Sequence, residues 1–325
     1  MYKTAIGITT GMKLSATNWI AQNADRLNVD TVWIGEDINV GQDVTVLITS
    51  TLLQTRKVRV GTGILPYPIY DIYRLARTCL SLHQMSGGRF ILGTGVGGIQ
   101  DLIRLGLKPT KPVTELRAVV DILHSLWNGK TITHHSQFID LENADLKIKE
   151  SVRIPIVLGV RGPQMLKLAG EVANGAILSG PFDYLRNAIE LINKSAKDAG
   201  RKPEDIEKIV WLPTIPTFRG VKEKLAREVV SIVVADTPDS VLDMLDIDRE
   251  LVDKIQQANR EKGPAAGAEF VNAELIDMFA VSGNKQHMLD RFQTLHSIGT
   301  SEVVIGPPFS GKWREAIEDL TSNIR

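Results

Sequence analysis

The chain has 325 residues, enough for one large barrel or two ordinary domains, with 43% apolar content and 38 basic residues balancing 38 acidic ones. That balance argues against nucleic-acid or membrane-surface binding driven by net charge, and the single cysteine, Cys79, excludes an intrachain disulfide and a cysteine zinc cluster. The first ten residues lack a basic segment followed by a long apolar run, and no stretch reaches the apolar length of a membrane span, so the sequence reads as a soluble, cytoplasmic protein.

Ala5 to Ile8 reads as a first strand ending at Thr9-Thr10-Gly11, and Ala16 to Leu27 carries helical periodicity with Ser15 as its cap. Thr31 to Ile34 is a second strand running into Glu36-Asp37, followed by a helix over Val44 to Leu53. Val58 to Leu65 is a third, ending at Pro66-Tyr67-Pro68, and Ile72 to Met85 is its helix, with Cys79 a buried thiol inside it. The turn Ser86-Gly87-Gly88-Arg89 launches a fourth strand, Phe90-Ile91-Leu92, whose unbroken apolar run marks burial on both faces. Gly93, Gly95, Gly97 and Gly98 crowd its exit, where glycine lets backbone N–H groups approach a ligand. Arg89 sits at the entry, on the rim opposite that exit, and reads as a structural tie.

The fourth helix, Val113 to Trp127, comes after a loop of roughly fourteen residues, a length usually functional or mobile. Thr131 to Leu141 reads as an inserted hairpin. Its adjacent His134 and His135 point to opposite faces and so cannot share a metal; both read as solvent-edge side chains. Pro155 to Val160 is a fifth strand, followed by Arg161-Gly162-Pro163 and a helix over Gln164 to Glu171, with proline suited to the first helical position. Gly175 to Gly180 and Tyr184 to Ala199 form the sixth unit, and Ile209 to Ile215 the seventh strand. Residues from about Val221 to Ala280 read as consecutive helices, an insertion. Asn284 to Ile298, Glu302 to Gly306 and Trp313 to Leu320 complete the beat.

Eight strand-helix units with a helical insertion after strand 7 fit a single (β/α)8 barrel over 1–325, since a plain barrel takes roughly 250 residues. A doubly wound sheet with a helical domain is the alternative fold. The fourth strand's exit contains G-x-G-x-x-G, but three strands precede it, and Gly106, Pro109 and Pro112 interrupt the segment where a dinucleotide fold requires an unbroken helix. In a barrel the strand ends gather at one mouth. There the sequence offers Thr9, Glu36 and Asp37, then Gly63, Ile64 and Leu65, then Gly95, Val96, Gly97 and Gly98, then Gly159, Arg161, Gly162 and Pro163, and Ser179. No histidine or cysteine stands among them, which disfavours metal hydrolysis and nucleophilic triads, and no metal is expected. Glycine clusters and a helix start beside Arg161 point to a phosphorylated cofactor. Glu36-Asp37 supply the only strand-end carboxylates.

The Ser86-Gly87-Gly88-Arg89 entry with the Leu92-Gly93-Thr94-Gly95-Val96-Gly97 exit resembles the bacterial luciferase-like superfamily of (β/α)8 barrels, which bind FMN or the deazaflavin coenzyme F420. Gly159 to Gly175, Phe279-Ala280-Val281-Ser282-Gly283 and Val303 to Pro307 are similar to the F420-dependent 5,10-methylenetetrahydromethanopterin reductases of methanogenic and related archaea. The resemblance implies hydride transfer between F420 and a one-carbon unit on a tetrahydromethanopterin-type pterin, in a homodimer or homotetramer. It implies a deazaflavin held against a bulge with a non-proline cis peptide at Gly63, Ile64 and Leu65. It also implies a cofactor phosphate near Gly95 to Gly98 and Arg161-Gly162-Pro163. The sequence departs from the family at Thr9, where a glutamate is expected, at Glu36-Asp37 in place of Asp-His, and at Gly98-Ile99 in place of an aspartate. An FMN-dependent monooxygenase, an F420 enzyme of another substrate, and a flavin or pterin binder without catalysis are the competing readings.

Overall fold

A computed structural model describes residues 3–323 except 244 and 246, and the side chains of all of these except 100 and 240. In chain order the strands are β1 (Lys3–Thr9), β2 (Thr31–Gly35), β3 (Arg59–Thr62), β4 (Leu65–Pro66), β5 (Phe90–Gly95), β6 (Ile132–His135), β7 (Asp140–Ala144), β8 (Ile156–Gly159), β9 (Gly175–Leu178), β10 (Glu207–Pro216), β11 (Val281–Gly283) and β12 (Glu302–Gly306). The helices that alternate with them are α1 (Leu14–Leu27), α2 (Val44–Gln54), α3 (Ile72–Met85), α4 (Ile99–Arg104), α5 (Pro112–Trp127), α6 (Pro163–Val172) and α7 (Phe182–Asp198). Between β10 and β11 come α8 (Glu223–Ala235), α9 (Asp239–Leu242), α10 (Arg249–Lys262), α11 (Pro264–Gly267) and α12 (Ala273–Phe279); α13 (Lys285–Ser297) and α14 (Trp313–Thr321) flank β12. The stretch expected to be a helical insertion is helical wherever it is described, apart from its connecting turns.

Local chemistry explains several boundaries. Asp43 caps α2 by accepting from the N–H groups of Thr45 and Val46, and Asp71 caps α3 by accepting from Arg74 N, contacts worth about 1 kcal/mol each. Ser15 does not cap α1. That helix begins at Leu14 after Lys13, with no side-chain cap, because its buried stripe of Thr17, Ile20, Ala21, Ala24 and Leu27 sets its register through packing. The long loop before α5 contains the short helix α4, too brief for its periodicity to stand out in the sequence.

The chain sorts into two compact units. The first comprises Gly7–Ile177 and Ile192–Glu207, and holds a parallel sheet in the order β2-β3-β5-β8-β9, with β4 beside β5. Every residue of β2, β5 and β9 is buried, as continuously apolar strands covered on both faces require. Cys79 is buried on α3, where loss of solvent pushes its thiol pKa far up, so it behaves as a small hydrophobe. The hairpin β6–β7 is tied at its tip: Ser136 Oγ donates to the buried Glu115 carboxylate at 2.8 Å, and Gln137 accepts from Thr110 N at 3.0 Å. His135 is exposed on the hairpin, hydrogen-bonded to Asp140, while His134 is half-buried rather than at the solvent edge.

The second unit takes the described residues up to Ile6, Leu178–Leu191 and those from Lys208 on. There β1 pairs in parallel with β12, β12 with β10, and β10 with β11, a strand of three residues that adds to the expected set. The insertion packs its own core, in which Val230, Val234, Val252, Ile255, Leu275 and Phe279 are buried together. Among the described residues no helix is long and apolar enough to cross a membrane.

Candidate active site

The third strand does not run straight from Val58 to Leu65. Gly61 pairs with Ile91, yet Leu65 pairs with Thr94, so four steps on one strand face three on its neighbour and one residue is extra. That is a bulge. It falls at Gly63-Ile64, whose peptide is cis, the feature that the family resemblance implies there. Two backbone bonds hold it to the end of β2: Gly63 N donates to Ile34 O at 2.8 Å, and Glu36 N donates to Ile64 O at 3.4 Å.

The glycines of the neighbouring strands are shaped by this bulge. A Cβ on Gly93 would lie 1.8 Å from the Thr62 carbonyl oxygen, so no side chain fits where the strands press together. A Cβ on Gly95 would meet Ile64 Cδ1 at 2.8 Å, and one on Gly159 would meet Ile64 Cγ2 at 2.7 Å. Gly159 is therefore a glycine because Ile64 lies across it, and Gly95 because Ile64 and the Gly159 carbonyl oxygen, also at 2.8 Å, both close on it. Gly93 and Gly95 also belong to β5 itself, so the exit loop is shorter than the sequence implies, beginning at the half-buried Val96. Gly97 has φ +87°, and its Cβ would strike Pro66 at 2.8 Å. Leu65 O accepts from Thr94 Oγ1 at 2.8 Å, locking the far side of the bulge.

The two adjacent acids part company. Asp37 is exposed; its Oδ2 accepts from Gly11 N at 2.9 Å and its own N–H donates to Thr10 Oγ1 at 2.8 Å, so it joins the loops after β1 and β2. Gln42 tightens the same loops by donating to Thr10 O and Met12 O. Thr9 is half-buried, its hydroxyl oxygen 3.5 Å from where a Cβ on Gly11 would sit. Glu36 instead turns inward. Its Oε1 accepts a 2.6 Å hydrogen bond from the Tyr70 hydroxyl, while its Oε2 is buried with no partner among the described residues. Burial raises the Glu36 pKa, the Tyr70 bond opposes that, and the charges of Asp43 and Asp37 raise it further.

Tyr70 lies beyond the strand end that the sequence marks at Pro66-Tyr67-Pro68, and no motif singles it out. The 3₁₀ turn Tyr67–Ile69 carries the chain round and Tyr70 arrives at Glu36. An aromatic hydroxyl within a few residues of a strand end is the available signal.

Two helix starts offer backbone N–H groups to an anion, and they differ. At α4, Asp101 stands in the first turn with its Oδ2 3.0 Å from the Cβ position of Gly98, and Asn39 and Arg104 bond its other oxygen. A carboxylate already occupies that end. At α6 no acid stands in the first turn, Gly162 is the N-cap without a side-chain bond, and Pro163 is the next residue. A Cβ on Gly162 would meet nothing, and its φ of −70° is ordinary. Neither packing nor backbone demands glycine there; its effect is to leave the helix start bare. Arg161 beside it is exposed. Ser179 stands just past β9 in the other unit, half-buried.

A parallel strand-helix chain whose first unit carries a cis-peptide bulge, a glycine-rich exit and a half-buried acid belongs to a recognisable class: the chain is a member of the luciferase-like monooxygenase family, whose sequence profile matches residues 2–302. It is 28% identical, over 99% of this chain and 98% of the relative, to a 5,10-methylenetetrahydromethanopterin reductase of Archaeoglobus fulgidus, and 29% identical, over 94% of each, to the enzyme so named from Methanolobus tindarius. Among solved structures it is similar to the coenzyme F420-dependent tetrahydromethanopterin reductase from Methanopyrus kandleri, with a TM-score of 0.89 at 23% identity over 99% of this chain and 98% of that one. The fold is therefore a (β/α)8 barrel of luciferase-like type, and the doubly wound and dinucleotide alternatives fall away.

Proposed function

We propose that the protein is a coenzyme F420-dependent oxidoreductase moving a hydride between reduced F420 and 5,10-methylenetetrahydromethanopterin, or a related pterin carrying a one-carbon unit. The observation that carries this reading is the match along nearly the whole chain to reductases so named. The residues at the strand ends fit the cofactor: Ile64 lies over Gly95 and Gly159, the α6 start is bare, and a buried carboxylate oxygen of Glu36 lacks a partner among the described residues.

In this reading the bulge of Gly63, Ile64 and Leu65 backs the ring. Gly95 and Gly159 act through Ile64, and Val96, Gly97 and Gly98 line the approach. Arg161 and the N–H groups behind Gly162 and Pro163 take the anionic tail, with the α6 start favoured over the α4 start because Asp101 would repel a phosphate at the latter. Ser179 is a candidate by its strand-end place alone. Bound F420 supplies the hydride from its deazaflavin ring, and the protein's contribution is orientation and the handling of a proton. Glu36 is the acid at the reacting end; Asp37, a first candidate for the same work, joins the loops, and the hydroxyl of Thr9, the other, is no acid at physiological pH. The proposal includes one barrel over 1–325 carrying both insertions, and assembly as a homodimer or homotetramer, which light scattering would measure.

Titration of the purified protein with F420 and with FMN tests the cofactor; tight FMN binding without F420 binding would remove the proposal. Turnover of methylenetetrahydromethanopterin by reduced F420 tests the substrate, and F420 binding without turnover would leave only a binder.

A further inference from the structure

The hydrogen bond between Tyr70 and Glu36 has a consequence for where a proton can sit. A carboxyl group has two oxygens, and here they are unequal: Oε1 is engaged by the phenol at 2.6 Å, and Oε2 is buried without a partner among the described residues. Tyr70 is a donor throughout the working range of pH, because burial and then the Glu36 carboxylate push its own pKa far above the ordinary value. With the phenol hydrogen pointing at Oε1, a proton on Glu36 belongs on Oε2.

The surroundings favour such a proton. The groups acting electrostatically on Glu36 are Asp43 at the start of α2 and Asp37 beside it, both negative, together with Tyr70 from the turn before α3. The bulge fixes the backbone of Glu36 through the bond from its N–H to Ile64 O. Glu36 is thereby held at its backbone by the bulge and at one carboxyl oxygen by a phenol, with the other oxygen left for chemistry.

We propose that Tyr70 is a positioning residue that fixes the proton of Glu36 on Oε2, making that oxygen the atom that gives a proton to the substrate in reduction and takes it back in oxidation. This rests on the reading of the protein as an F420-dependent reductase of a pterin-bound one-carbon unit. In the reductive direction the hydride from the reduced deazaflavin forms a carbon–hydrogen bond at the one-carbon unit, and a carbon–nitrogen bond breaks. The freed nitrogen takes the proton from Oε2, and the ring proton released as the deazaflavin is oxidised restores the acid, so electrons and protons balance. Such a pair supplies from the second strand an acid that Thr9, on the first, cannot supply.

The experiment compares wild type, Tyr70→Phe and Glu36→Gln. In the cofactor-free protein, carboxyl carbon NMR of glutamate-labelled samples tracks the Glu36 titration, identified by its absence in Glu36→Gln. Loss of the phenol bond should move that midpoint upward in Tyr70→Phe, and an unchanged midpoint would overturn the proposal. In the loaded enzyme, Tyr70→Phe should lower kcat by about tenfold or more at unchanged KM, and move the alkaline limb of the pH profile upward. Wild-type turnover with an unaltered profile in Tyr70→Phe removes the Tyr70 role alone. If wild type shows no turnover, the reductase reading fails and takes the proton assignment with it, whatever the titration shows.

Discussion

The two ends of the strands in the first unit treat polar groups in opposite ways. At the entry end, Arg89 donates to the carbonyls of Leu52, Thr55, Val58 and Ser86 and to the Thr55 hydroxyl. Asp25 accepts from the N–H groups of Arg56, Lys57 and Val58, and Arg59 Nη1 donates to both Glu207 carboxylate oxygens at 3.1 Å. Arg201 closes the Gly170 and Ala173 carbonyls in the same manner. At the exit end, Glu36 Oε2, Gln42 Oε1 and Tyr67 Oη are buried without partners among the described residues, against His83 Nδ1 alone beside the Gly88 turn at the entry, and a bulge and a bare helix start break the regular pattern. Buried polar groups are almost always satisfied, so a cluster of exceptions needs a reason. The contrast separates an end built for stability from one whose partners arrive from outside, the division expected of a (β/α)8 barrel.

The largest effect should come from breaking the satisfied end. Arg89→Met removes all five bonds and leaves carbonyls without donors, which should cost about 3 kcal/mol or more of unfolding free energy in urea. F420 affinity of the folded fraction should not change. Loss of affinity without loss of stability would invert the comparison. A smaller effect, confined to the exit end, should attend Gly159→Ala. The new methyl would sit 2.7 Å from Ile64 Cγ2, and overpacking of that kind costs about 1–3 kcal/mol. Displacing Ile64 from its shelf should weaken F420 binding by about tenfold, measured by fluorescence titration. Unaltered binding would show that Ile64 does not back the ring.

How much of this is legible in the sequence depends on whether a residue's role is local. Continuous apolar strands announce a parallel sheet, and Arg89 announces a structural tie by standing at a strand entry, because both signals depend on chain position alone. Asp37 and Glu36 are neighbours of like chemistry, and only the fold brings Gly11 N to one and Tyr70 to the other. Gly95 and Gly159 read as ligand-facing because a glycine letter does not tell whether the space it leaves is for a cofactor or for a side chain from another strand. The bulge itself has no letter of its own; it shows only as a change of register between β3–β4 and β5. Ser15 fails as a cap for a related reason, since packing of the α1 face sets the helix start.

The smallest effects offer the finest test, because the two ends should respond to pH with opposite sign. Burial works to raise the Asp25 pKa, but the three backbone N–H groups outweigh it, with Arg89 assisting, so the folded value lies below the ordinary one. Its contribution to stability is complete above the unfolded value of about 3.9 and is lost as pH falls through the folded value. The stability advantage of wild type over Asp25→Asn should therefore shrink in acid. Glu36 is shifted the other way. Between the unfolded glutamate value of about 4.3 and its higher folded value, the native state binds more protons than the unfolded chain, so stability falls as pH rises. Wild type should lose ground to Glu36→Gln across that window, while Tyr70 can still donate to the amide oxygen. Denaturation midpoints of the three proteins from pH 3 to 8 would reveal both slopes, and parallel curves for Asp25→Asn and Glu36→Gln would mean that the half-partnered Glu36 carboxylate is no less content in the fold than that of Asp25.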